Sequence, residues 1–112
     1  MPKGEFLGEF EQIVLLAMAR LGEGAYGMAI ADEIESRAGR EVGIGSVYSA
    51  LDRMERKGYV TSSVGEPTPE RGGRAKRYFR LEWAGAVALQ RSRELHTRLW
   101  DGLELDPETY RR

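Results

Sequence analysis

At Lys57-Gly58 the spacing of apolar residues changes period, and that change limits the folds open to this chain. Before it, Val47, Ala50, Leu51 and Met54 form a helical stripe about one turn wide. After it, YVTSSV is rich in β-formers, GEPTPERGG is a polar loop, and RAKRYFRL returns as a second strand. Two prolines and two adjacent glycines give this hairpin an extended tip rather than a two-residue turn. A long tip carrying arginines is either disordered or a contact element.

Upstream, Leu7, Phe10, Val14, Ala17 and Leu21 step by three and four, with Ile13 and Leu16 widening the stripe. This predicts a first helix buried on more than one side, ended by Gly22 and Gly24. A second helix is expected from Tyr26 to Ala38, with Met28, Ile30, Ala31, Ile34 and Ala38 on one side and Gly39 as its left-handed stop. The third helix runs from Ser46 to Lys57. Downstream of the hairpin, Trp83 to Trp100 reads as a helix whose larger apolar residues are Val87, Leu89, Leu95 and Leu99, with Leu103 beyond. Three helices and a hairpin already supply a core, so this fourth helix needs another surface, most simply its own copy in a second chain. The expected architecture is mainly α (α+β): a winged helix-turn-helix over residues 1–82, a C-terminal dimerisation helix over 83–105, and a frayed tail over 106–112.

Several function classes lack their residues. The chain has no cysteine and one histidine, His96, so no metal-ligand set assembles. No serine stands in a nucleophile elbow, and a Ser-His-Asp triad can be built only by arbitrary choice. GEGAYG at 22–27 matches G-x-G-x-x-G, yet a helical pattern precedes it and no βαβ series follows, so it reads as a glycine turn between helices. No cofactor is implied and the chain is read as a non-enzyme. No apolar run approaches a membrane span, and Glu5, Glu9 and Glu11 do not suit a signal peptide. With cysteine absent, a soluble, cytoplasmic protein is expected.

The net charge of −1 conceals a division. Residues 40–80 hold nine Lys or Arg against five acids, a net of +4, while the rest hold eight against thirteen, a net of −5. A basic middle in an acidic chain is expected where one face meets a polyanion. On the third helix the apolar stripe leaves Ser46, Tyr48, Ser49, Asp52, Arg53, Arg56 and Lys57 outside or on the flanks. Small residues at its start permit close backbone approach, and its N-terminus favours phosphate oxygens. Taken alone, this helix fits a groove-entering face and an ordinary solvated face equally well. The hairpin favours the first, because Arg71, Arg74, Lys76, Arg77 and Arg80 fall within ten residues. Alternation sets Phe79 and Leu81 inward.

Taken in order, these motifs resemble the PadR family of transcriptional regulators, from about Phe6 to Leu103. The residues carrying the resemblance are AYG at 25–27, GIGSVYSALDRMERKGYV at 43–60, GGRAKRYFRL at 72–81 and Ala84-Gly85. The resemblance implies a homodimer, usually a repressor, on a pseudo-palindromic double-stranded DNA operator. It makes Ser46, Tyr48, Ser49, Arg53 and Lys57 the recognition-helix contacts, and Arg71, Arg74 and Lys76 the wing contacts. Dimerisation falls to the C-terminal helix against the N-terminal one, through Phe6, Phe10, Leu89, Leu95, Leu99, Trp100 and Leu103. It also brings in an apolar or aromatic small-molecule effector, for which Trp100 and Trp83 are the candidate residues, although aromatics packing the dimer is the simpler use of them. Where the family commonly has Thr to cap the last helix, this chain has Glu82, a poorer cap by about 1 kcal/mol at most. The rival readings are a winged-helix module for an acidic protein partner and a ligand sensor with weak DNA affinity.

Overall fold

A computed structural model describes residues 7–65 and 76–112. Its main elements are α1 (Glu9–Leu21), α2 (Gly27–Ala38), α3 (Ile44–Arg56), β1 (Val60–Val64), β2 (Arg77–Leu81) and α4 (Trp83–Trp100). This is the expected order and the expected mainly helical class. The expectations placed on Phe6, Arg71 and Arg74 lie outside the described residues.

The first three helices close around one core. Val14, Leu15 and Met18 of α1, Ile30 and Ile34 of α2, and Val47, Leu51 and Met54 of α3 are buried within it. Each such side chain contributes about 1.5–3 kcal/mol relative to an exposed one. The inner face of α1 differs from the expected stripe: Leu15 and Met18 are inside, while Leu16 is 53% exposed. Neighbours cover α1 on the side facing α2, α3 and β2, and α4 crosses only part of the remainder. Met28 and Ala38 of α2 are likewise exposed. Gly22 ends α1 at φ 62°, and Gly39 ends α2 at φ 63° with its N–H on the Glu35 carbonyl, as their sequence positions require.

β1 and β2 pair antiparallel, from Val60 opposite Leu81 to Val64 opposite Arg77. Val60 and Phe79 point into the core. The far edge of β2 is partly covered by the α1–α2 connection: the Phe79 N–H donates to the Ala25 carbonyl at 2.7 Å, and Tyr26 bridges to Tyr78. The pairing protects a strand edge that would otherwise offer its backbone groups to other chains.

α4 starts at Trp83, as expected from the sequence, although Glu82 does not cap it through its side chain. The Glu82 carboxylate accepts a hydrogen bond from the Thr61 hydroxyl instead, at 3.1 Å, and its N–H donates to the Tyr59 carbonyl at 2.9 Å. Gly85 and Ala88 are buried and Leu89 is half-buried. From there α4 leaves the core: Leu99 is 70% exposed and Trp100 56%. Residues 106–112, expected to fray, hold one exposed 3-10 turn, Pro107–Tyr110, in which the Asp106 carboxylate accepts the Glu108 N–H at 3.0 Å.

The tightest join between α4 and the rest is at Gly85, where a Cβ would stand 2.4 Å from the Tyr59 carbonyl oxygen. Backbone on both sides cannot yield as a flexible side chain would. Gly85→Ala is therefore expected to destabilise the fold by about 1–3 kcal/mol, read as a lowered urea midpoint.

Candidate nucleic-acid interface

Val47, Ala50, Leu51 and Met54 are all fully buried, so the opposite side of α3 must face outward. Helical spacing puts Gly45, Ser49, Asp52 and Arg56 along the centre of that side, and all four are exposed. Ser46, Arg53 and Lys57 form the flank toward α1, while Tyr48 and Glu55 form the flank toward α2 and the hairpin. No side chain caps the start of α3 at Gly43, so its first-turn N–H groups keep their capacity to donate to an anion. Among the described residues the side chains of Ser46, Ser49, Arg56 and Arg80 have no hydrogen bond or ion pair. Arg56, which the sequence reading placed on the outward side without choosing it as a contact, has the most central position of the cations. Its signal was legible as the run 45, 49, 52, 56.

The flanks are already engaged within the protein. Glu11, a buried carboxylate on α1, receives the Gly8 N–H at 3.2 Å and sits 3.5 Å from Arg53 Nε and 3.8 Å from Lys57 Nζ. Two of the expected contacts are thus drawn toward α1. Tyr48, only partly exposed, lays its ring against the start of α2: a Cβ on Gly27 would come within 2.5 Å of it, and Phe79 lies 6.3 Å away by ring centroids. Lys76 stands 4.3 Å above the Tyr26 ring, a cation–π contact at the outer end of β2, away from its join to α4. None of these engagements has a signature in spacing or composition, because each joins residues far apart in the chain.

A second surface lies between α1 and α4. An open groove there is lined by Leu16, Leu89, Gln90, His96 and Trp100, among others. Leu95, Leu99 and Leu103 are exposed nearby along α4 and its end. Trp83 is 80% exposed and borders a different depression with Lys57 and Val87. Phe10 is half-buried against the core and carries Arg40 over its ring at 5.9 Å. Among the described residues, then, Trp100 lines the α1–α4 groove while Trp83 and Phe10 line other depressions.

With this geometry in hand, a family model described as the transcriptional regulator PadR-like family matches residues 14–91. The chain belongs to that family. Among solved structures, it resembles RosR of H. salinarum at 26% identity and TM-score 0.66, with 88% of this chain and 81% of that one covered. A PadR family transcription regulator from Clostridium difficile shares the fold at 23% identity and TM-score 0.64, covering 82% and 91%. So does a transcriptional regulator from Clostridium thermocellum, at 23% and 0.65, covering 85% and 92%. No curated protein matches the chain. Membership makes this a PadR-like transcriptional-regulator fold, which implies DNA-binding regulation. Among the described residues no helix is long and apolar enough to cross a membrane, and no group of residues could hold a metal ion.

In this PadR-like fold Glu11 is the junction between α1 and α3. Glu11→Gln keeps a side chain that can still bond the Gly8 N–H but removes the charge facing Arg53 and Lys57. The expected outcome is a loss of about 0.5–1 kcal/mol in chemical denaturation, smaller than that of Glu11→Ala, which removes the helix-start bond as well.

Proposed function

We propose that this protein is a homodimeric repressor that binds a pseudo-palindromic operator in double-stranded DNA, with α3 in the major groove and the hairpin against the flanking backbone. The observation that carries the reading is the outward side of α3, where Ser46, Ser49 and Arg56 stand exposed and unpartnered among the described residues, beside an uncapped helix start. Serine hydroxyls and guanidinium groups are donors for phosphate oxygens and base edges. Arg53 and Lys57 contribute from the α1 flank, Tyr48 from the hairpin flank, and Arg71, Arg74 and Lys76 from the wing. The protein acts in the cytoplasm.

Gly45 supports close approach of an outside body. It lies in the first turn of α3, and a Cβ there would meet nothing within 4 Å. Glycine in a helix costs about 1 kcal/mol relative to alanine, and none of the described residues crowds the position so as to require it. Gly45→Ala is expected to raise stability by about 0.5–1 kcal/mol while weakening DNA binding, a pairing that thermal melts and gel shifts read together.

The second copy docks on the exposed apolar residues of α4, with Leu95, Leu99, Trp100 and Leu103 at its centre, Leu89 at its inner margin and Phe10 of α1 contributing, as does Phe6, which lies outside the described residues. Dimer exchange of this kind sets the spacing of two recognition helices to one helical turn of DNA. Leu99→Glu is expected to yield monomers in analytical ultracentrifugation and to lower operator affinity at least tenfold. An apolar or aromatic effector takes the groove beside Trp100, and Trp83 borders a second, shallower candidate position.

The deciding experiment is selection of bound duplexes from a random pool at two salt concentrations. Enrichment of a symmetric site is the expected result. Weak, unpatterned binding that vanishes with salt would instead favour an acidic protein partner as the ligand of the same face.

A further inference from the structure

Arg77 belongs by charge to the wing's row of cations, yet its guanidinium already faces two carboxylates. Nη2 lies 2.7 Å from Glu55 Oε1 and Nη1 lies 3.7 Å from Asp52 Oδ1, both on α3. Its Cζ sits 4.9 Å from the Phe79 ring centroid. Glu55 also accepts a hydrogen bond from the Ser62 hydroxyl of β1 at 2.7 Å. One carboxylate of the recognition helix thus holds both strands of the hairpin.

The position of this contact gives it leverage. The hairpin is joined to α3 covalently at its base, where Val60 pairs with Leu81. Arg77 pairs with Val64, the outermost described rung of the ladder, so the ion pair ties the hairpin to α3 at the opposite end. A two-stranded ribbon is pliant in twist. The contacts of Phe79, Tyr78 and Lys76 with Ala25 and Tyr26 tie β2 to the start of α2, whereas the Arg77 cluster ties its outer end to α3 itself and so bears on the angle between hairpin and α3. With two carboxylates facing one guanidinium, the cluster carries no surplus positive charge to offer a phosphate, unlike Arg56 and Arg80.

We infer that Arg77 is a positioning residue: through Glu55 and Asp52 it sets the wing's angle against the recognition helix, and with it the discrimination between operator and other DNA, without neutralising a phosphate itself. The inference rests on the DNA-binding reading above.

The test measures affinity for the enriched duplex and for a scrambled duplex of equal length across a salt series, for the full chain and for Arg77→Gln, Glu55→Gln and Arg77→Lys. Arg77→Gln and Glu55→Gln change the charge in opposite directions. Both are nevertheless expected to lower the operator-to-scrambled ratio, by about threefold to fivefold, the range of a partly exposed ion pair. Arg77→Gln is expected to leave the salt slope on scrambled DNA unchanged. Arg77→Lys, which keeps the cation but loses the planar fork, is expected to lower the ratio as well and guards against misfolding of the neutral variant.

If Arg77 grips a phosphate, Arg77→Gln weakens both duplexes alike and flattens the slope by about 0.9 per contact, Glu55→Gln tightens binding, and Arg77→Lys keeps the ratio. That set of results overturns the inference while leaving the DNA-binding reading intact. Wild-type protein that binds neither duplex overturns both.

Discussion

The arrangement depends first on the complete burial of one side of α3. Val47, Ala50, Leu51 and Met54 have no exposed surface, and each is held by α1, α2 or the hairpin. A helix anchored by four residues on one stripe cannot rotate without exposing them, at about 25 cal/mol for every Å² uncovered. The outward direction of Gly45, Ser49, Asp52 and Arg56 follows from that constraint. Tyr48 reinforces it, since its ring occupies the space that the missing Cβ of Gly27 leaves at the start of α2. The surface proposed to meet DNA in this PadR-like regulator is thus the complement of its core.

The electrostatics of that surface are more selective than the charge of residues 40–80 suggests. Arg53 and Lys57 face Glu11, Arg77 faces Glu55 and Asp52, Arg40 pairs with Glu9 at 2.8 Å, and Lys76 covers an aromatic ring. Each pairing is partly exposed and individually modest. Together they separate the cations that orient elements from those, such as Arg56 and Arg80, that carry uncompensated charge outward. The acids of α1 and α3 therefore shape the candidate interface as much as the bases do.

α4 links this face to the rest of the molecule. Its first turns are fixed at Glu82 and Gly85 through the Tyr59 carbonyl, which also lies where α3 gives way to β1. Its later turns carry large apolar side chains that the chain itself does not cover. A single carbonyl thus marks the meeting of α3, the hairpin and the helix proposed to join two copies. In the proposed dimer, rigid attachment at that point would let the separation of two α4 helices define the separation of two α3 helices.

Although α3 begins at Ile44, two residues before the expected Ser46, the order of elements, the glycine stops of the helices and the family were legible in the chain. Those properties are local: apolar period distinguishes helix from strand, and glycines at 22, 39 and 58 stop helices where left-handed backbone is needed. Even the weak cap at Glu82 left the start of α4 unmoved, because the Tyr59 carbonyl receives the Glu82 N–H and holds the entry to the helix. Periodicity was less reliable for choosing among adjacent apolar residues, placing Leu16 inside where Leu15 and Met18 are, because the covered angle of α1 depends on which neighbours reach it. Only the tertiary structure decided which cations are engaged. Glu11 is 42 residues from Arg53, and Glu55 is 22 residues from Arg77. Composition counts charges, whereas the few ångströms that separate a free arginine from a paired one exist only once helices and hairpin have packed.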